Sequence, residues 1–587
     1  MRAVAVVVGL ALVSIPSAVH AGSTLERTIG DRNGDNLLER GSPEAYRVRT
    51  ELVGGRPPQP IARATLIRFA QLTDTQLVDE ESPLRVEFVD RLGEPFIAAY
   101  RPQEGLLPFV LSEEVRAVRA ERPELVMVTG DNADNAQRNE TRWFIDILDG
   151  GIVRPDSGRP GSCATKRRRI YQGVRGGGRY YDPDGSGRAD GPGYAPKQST
   201  NRRRAGRSVA SRDFPHLFEQ MNRPFRAPGL GVPWYTVVGN HDALTQGNVP
   251  ANAFFSATAG GCLKVTDLSP RAWKLIRPLA AGGITGQEEG EIVRILYGDF
   301  LASVSNPRKA RRLLKRVARD AGRAILFRKQ DLLREHFTTR GTPRGHGYEL
   351  APAGEAYYAF TPKPGLRFIA LDSVADSGPE GNVDDAQFRW LHGELLRADA
   401  RAQLVLVFAH HALPSMTQQA GGVHYGLAGS CPSPLPSTPP AADESLRCLL
   451  LRHPSVLALV AGHSHRNRIT PYPRQGGGGL WEIVTSSHTD WPQQSRLIEV
   501  VENGDWTLTI RTHVVDHLGP PRPPKVKPSR SRLLTPAEVS RLASIARELA
   551  FNDPQGGNGE DGSNDRRGSP LDRNVELFVP HPYARGP

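Results

Sequence analysis

The chain has 587 residues, 38% hydrophobic and 24% charged, with 60 Gly and 49 Pro. It is therefore globular and loop-rich, with room for one large domain carrying insertions or for more than one domain. Its formal charge is +12, and 10 of its 75 basic residues are lysine. A basic balance attracts phosphorylated substrates, nucleic acid or anionic surfaces without identifying any of them. Beyond the first residues no apolar stretch is long enough to cross a membrane as a helix.

In chain order, "MRAVAVVVGLALVSIPSAVHAGS" carries one positive charge, an apolar run and then small residues. This pattern predicts a Sec-type signal peptide over 1–21, cleaved after Ala21, and a secreted, periplasmic or cell-envelope protein. The run is short for a span of about 20 residues, so no transmembrane anchor is expected after cleavage. The four cysteines Cys163, Cys262, Cys431 and Cys448 fit an exported chain with up to two disulfides. Three pairings are open, and Cys431 with Cys448 closes a short loop.

After an N-terminal extension (22–63), short runs rich in Val, Ile and Leu read as buried strands: 65–72, 124–130, 234–240, 367–373, 403–411 and 455–465. Helical patterns precede the second ("LSEEVRAVRAER") and the fifth ("DDAQFRWLHGELLRA", with Asp384 as N-cap). Alternating strands and helices predict an α/β sheet covered by helices. "LWEIVTSS", "SRLIEVVE" and "DWTLTIRT" then succeed one another without helices and predict antiparallel strands.

Two insertions interrupt this core. Residues 150–230 are rich in Gly, Arg and Pro, and hold the basic runs 166–169 and 201–207. Residues 262–350 hold a basic helical stretch over 306–337. The main domain is expected over 64–515. A Pro/Gly-rich tail with one helix, "TPAEVSRLASIARELAF", fills 516–587.

The chemistry lies in the residues just past each strand. The first strand leads to Asp74 and Gln76, the second to "GDNAD" (130–134) and the third to "GNHD" (239–242). The fifth leads to His410 and His411, and the sixth to "GHSH" (462–465). Sites in open α/β sheets form at the carboxyl ends of strands, so these groups are expected at one edge. Carboxylate, carboxamide and imidazole together suit divalent Mn, Fe or Zn.

The order Asp-x-Gln, Gly-Asp-x-x-Asp, Gly-Asn-His-Asp, His, Gly-His-x-His resembles the calcineurin-like metallophosphoesterase superfamily over residues 65–512. The departure is Gln76, which stands where the family has histidine. "DTQLVDEESP" is similar to an exported bacterial subgroup.

The resemblance implies a four-layer αββα sandwich, two mixed sheets flanked by helices, and two divalent ions. Asp74, Gln76 and His465 would hold the first ion, Asp131 would bridge, and Asn240, His410 and His463 would hold the second. His241 would protonate the leaving oxygen, oriented by Asp134, while a bridging hydroxide attacks phosphorus in line.

The activity implied is hydrolysis of a phosphate ester, with no stable nucleic-acid partner. A diester is preferred because no arginine comes after "GDNAD" as it does in protein Ser/Thr phosphatases. Two alternatives stand beside it. One is a non-catalytic protein binding phosphoryl ligands through a degenerate metal site. The other is an extracellular nuclease or phospholipase of the same fold.

An amide oxygen is a poorer donor than imidazole to Zn or Fe, so Gln76 implies a weaker first site. Asp79, Glu80 and Glu81 offer substitutes but read more simply as an exposed acidic turn. His411, on the strand face opposite His410, reads as a packing neighbour. His488 comes after a later strand and is a further candidate. The calcium-like runs 31–39 and 182–190 lack the Gly and Glu of an EF-hand loop. The segments 178–184 and 344–349 are candidates for capping the site.

Overall fold

Phe69 and Ala70 show how the core is divided. Successive strand side chains point to opposite faces, so one packs between two sheets and the other beneath helices. In the computed structural model, residues 22–583 are described, apart from 35–36, 56–57, 93–98, 159–161, 165–213, 215, 282–285, 305, 307, 309–312, 377, 419–421, 428–430, 432–434 and 554–565. The expected leader, the basic runs 166–169 and 201–207 and the segments 178–184 and 182–190 lie outside the described residues.

A seven-stranded sheet runs in the order Arg47–Arg49, Val575–Pro580, Thr507–Asp516, Gln494–Glu502, Ala64–Leu72, Leu125–Val128, Trp234–Thr236. The last three strands are parallel, and Gln494–Glu502 pairs antiparallel with Ala64–Leu72, placing Ile498 opposite Phe69. A six-stranded sheet runs Tyr358–Phe360, Leu366–Ala370, Leu404–Phe408, Val456–Ala461, Gly479–Val484, Arg468–Pro473. Its four central strands are parallel and both edges antiparallel.

The sheets meet through Ile67, Phe69, Met127, Phe368, Phe408, Trp481 and Ile510. The outer face of the first sheet is covered by the helices Leu107–Ala120, Arg138–Asp149 and Pro536–Asn552, and that of the second by Asp385–Ala400 and Leu446–Leu451. Two mixed sheets between helix layers form a four-layer αββα sandwich. Asp384 caps its helix as expected, Oδ1 accepting from the Gln387 amide at 2.8 Å.

Two expectations give way. The segment after 516 is no appendage: its helix packs against Leu107–Ala120, and Val575–Pro580 is an inner strand of the seven-stranded sheet. Alternating Val575, Leu577 and Val579 point into the inter-sheet core, a period too short to stand out beside the Gly/Asn/Asp run before it. The helical reading of 306–337 also fails in part. Leu314–Arg316 is a strand, Ala321–Arg323 a 3-10 turn, and the helix starts at Lys329. The Asp320 side chain accepts from the Gly322 amide and competes with helix here.

Disulfides join Cys163 to Cys262, linking the two insertions, and Cys431 to Cys448. Among the described residues no helix is long and apolar enough to cross a membrane.

Candidate metal centre

The parallel strands of both sheets end at the same edge. Leu72, Val128 and Thr236 lead into Thr73–Gln76, Thr129–Asp131 and Val237–His241; Phe408 and Ala461 lead into His410 and Gly462–His465. The turns are tight because the backbone itself approaches closely. A Cβ at Gly239 would lie 2.2 Å from the Asp131 amide nitrogen, and Gly130, at φ +87°, faces Gly239. Asp242 then ties the loops together, accepting from the amides of Gly239, Asn132 and Ala133.

Ligand atoms of Asp74, Asp131 and His465 lie within 4.8 Å of one another, as do those of His410, His411 and His463. The His465 Nε2 is 3.3 Å from Asp74 Oδ1, and His410 Nε2 is 2.9 Å from Asn240 Oδ1 and 3.3 Å from Asp131 Oδ2. Gln76 joins them, its Nε2 3.3 Å from Asp131 Oδ2 and 3.4 Å from His465 Nε2. All seven expected ligands thus converge.

Asp74, Gln76, Asp131, His463 and His465 all sit at φ between 40° and 68°. A left-handed backbone at a non-glycine residue costs roughly 1–3 kcal/mol, and such positions cluster where function holds them.

The residues present fit divalent cations. His410 Nδ1 donates to the Thr129 carbonyl at 2.8 Å and His465 Nδ1 to Asp490 Oδ2 at 2.6 Å, so each imidazole aims its Nε2 at the carboxylates. Gln76 Oε1 is buried without a hydrogen-bond partner among the described residues, an acceptor whose chemistry suits a positive centre.

The charges agree. Burial opposes ionisation of both carboxyls, yet His410 and His241 hold that of Asp131 far below the usual range, and His465 and His410 lower that of Asp74. Against burial, Asp131 pushes His410 up to about 9. Burial together with the neighbouring His411 and His410 keeps His463 neutral.

His241 stands at the rim, its side chain 15% exposed. Its backbone amide donates to Asp131 Oδ1 at 2.8 Å, and its Nδ1 lies 3.2 Å from Asp134 Oδ1 and 3.1 Å from the Asp134 carbonyl. Burial lowers its pKa, but Asp131 and Asp134 push it up to about 9. Asp134 is steadied by Arg85, whose Nε is 3.2 Å from Oδ2 and whose other face is clamped by Glu104.

Five further candidates have other partners or surroundings than the sequence suggests. Asp79, Glu80 and Glu81 are not an exposed turn but buried: Asp79 and Glu81 pair with the buried Arg323 at 2.8 and 3.4 Å. A guanidinium 242 residues beyond Glu81 offsets the cost of that burial, and nothing local announces it. His411 adjoins the second group, but Ser373 Oγ at 2.9 Å and the Pro379 carbonyl at 2.9 Å occupy both its nitrogens. His488 bonds Thr73 O and Ser495 Oγ, away from the carboxylates.

Sequence reasoning missed Asp490, Arg85, Arg101 and Arg566. Asp490 lies two residues past His488 in "SSHTD", and its position after a strand end was the available signal.

No protein-family model matches the chain, and no curated protein matches it. Among solved structures it is similar to a dimetal phosphatase from Danio rerio, at 14% identity and a TM-score of 0.31, over 77% of this chain and 100% of that one. It is similar to PhoD at 10% identity and 0.27, over 88% and 79%. Purple acid phosphatase PPD1 from yellow lupin (Lupinus luteus) seeds matches at 10% and 0.28, over 81% of this chain and 53% of that one.

Proposed function

We propose that the chain is a divalent-metal-dependent hydrolase of phosphate esters, with a diester as its preferred substrate. The observation that carries this reading is the convergence of Asp74, Asp131, His465, His410 and His463 beside a solvent-facing His241 backed by a carboxylate.

Asp74, Gln76 and His465 would hold one cation, Asn240, His410 and His463 a second, with Asp131 between them. Bound there, Mn, Fe or Zn would supply Lewis-acid polarisation of a phosphoryl oxygen and an acidified water.

The chain's own residues do the rest. His241, its imidazole held by the Asp134 carboxylate, can give a proton to a leaving alkoxide. Asp134 fixes the imidazole by Nδ1, which leaves Nε2 toward the substrate. The 244–250 turn closes against that edge: a Cβ at Gly247 would lie 2.4 Å from His241 Nε2.

The test is hydrolysis of bis-p-nitrophenyl phosphate and p-nitrophenyl phosphate by protein stripped of metal and restored with Mn, Zn, Fe or Ca singly. Activity that returns with metal and is lost in His241→Ala supports the enzyme, and the ratio of the two rates decides diester against monoester. No turnover with any metal, combined with tight binding of phosphoryl ligands, would transfer the site to a binding protein.

A further inference from the structure

The side of His465 turned away from the carboxylates is more elaborately built than a single acceptor requires. Its Nδ1 meets two groups of opposite character. Asp490 Oδ2 lies at 2.6 Å and can only accept; Arg566 Nη1 lies at 3.2 Å and can only donate. Asp490 is fully buried and is gripped from two directions. Arg101 Nε donates to Oδ1 at 2.6 Å and its Nη2 lies 3.3 Å from Oδ2, while Arg566 Nη1 donates to Oδ2. Arg101 comes from the start of the chain and Arg566 from its last stretch, whose backbone carbonyl accepts from the Asn467 amide two residues past His465.

A neutral imidazole has one N–H. Whichever group wins Nδ1 decides whether Nε2 carries a lone pair or a proton, and only the lone pair can bind a cation. We propose that Asp490 is a positioning residue that fixes the metal-binding tautomer of His465 against the competing donor Arg566, and that Arg101 holds it in that role. This rests on the two-cation reading above and deepens it. It makes one of the two cation positions answerable to the C-terminal stretch of the chain.

The competition predicts a reversal of sign. With Asp490 present, Arg566 is a supporting partner, and Arg101 alone still grips the carboxylate. Arg566→Ala should therefore change Mn²⁺ binding by less than about threefold. In Asp490→Ala, Arg566 becomes the donor to Nδ1, the ring proton moves to Nε2, and the cation loses its ligand. Removing Arg566 from that background frees Nδ1 to keep its proton.

The experiment is titration of the metal-free full chain with Mn²⁺ by calorimetry, with bound metal counted by mass spectrometry and the metal-free unfolding temperature measured beside it. Asp490→Ala should bind one ion as the parent does and the other roughly 10–100-fold more weakly, and Asp490→Ala with Arg566→Ala should recover part of that loss. If Asp490→Ala does not fold, Asp490→Asn replaces it, because its single carbonyl oxygen must choose between Arg101 and His465; the same order is expected.

A double variant no better than Asp490→Ala overturns the proposal. So does an Asp490→Ala that binds both ions as the parent does, or one that weakens both equally while lowering the unfolding temperature. A parent chain that binds no Mn²⁺ at all defeats the two-cation reading instead, and the two failures are distinct.

Discussion

The carboxamide of Gln76 lies against Asp131, its Nε2 3.3 Å from Oδ2, while its Oε1 is buried with no hydrogen-bond partner among the described residues. Half a turn about its terminal torsion exchanges nitrogen for oxygen at nearly constant shape. The side chain can thus serve the carboxylates as a donor and a cation as a ligand. Gln76→His should tighten Zn²⁺ binding by roughly tenfold, and Gln76→Leu should weaken it by as much. Competition with a chelator reads both, and equal affinities in all three proteins would remove Gln76 from the site.

His241 donates its backbone amide to Asp131 and its ring to Asp134, so the proposed proton donor is fixed to the same loop that carries a proposed ligand. His241→Ala should lower kcat by about 10²–10⁴-fold on a diester with an alkoxide leaving group. Loss should be smaller for p-nitrophenolate, which needs little protonation. Bound metal should stay at the parental level. A kcat within threefold of the parent on both substrates would mean another group supplies the proton.

Phe69 meets Phe368 and Phe408 edge-on at 5.2 and 5.7 Å, in the layer between the sheets. Phe69→Ala should cost about 3–5 kcal/mol by lost transfer and a residual cavity. The change belongs in the denaturant midpoint at unchanged slope. A loss under 1 kcal/mol would mean that the two sheets close over the gap.

His336 and His346 share a hydrogen bond between their Nδ1 atoms at 3.0 Å, and His346 stacks on Trp234. Burial, helped by Arg142, lowers His346 to about 3; burial and the neighbouring His346 hold His336 well below 6.5. Folded, they stay neutral; unfolded, they take protons below 6.5. Their stability contribution is therefore complete above about 6.5 and is lost as pH falls toward 3, by about 1.4 kcal/mol per pH unit for each. His241 and His410, pushed up to about 9, change only above 6.5 and leave this window alone. Glu87 and Asp242, raised to about 7, and Glu140, raised to about 8, gain stability as pH falls over the same range, so the test is a difference between proteins. Between pH 6.5 and 5.0 the urea midpoint of metal-free His346→Gln should move less unfavourably with falling pH than that of the parent, and an identical pH dependence in the two would show His346 protonated in the fold.

The sequence by itself determined the strands and the residues at their ends. Each lies in one short segment where an apolar run stops and a Gly-Asp, Gly-Asn or Gly-His turn starts, and such local order survives without knowledge of neighbours. Asp384 as N-cap was readable for the same reason. Only the tertiary structure decided the rest, because it depends on groups brought together from far apart in the chain. Arg323 reaches back to bury Asp79 and Glu81, and Val575–Pro580 turns an apparent tail into an inner strand. Asp490, held between Arg101 and Arg566, accepts from His465 Nδ1 and so aims the other ring nitrogen at Asp74. Desolvation makes an unpaired charge too costly to bury, so where a carboxylate can sit is decided by partners hundreds of residues away.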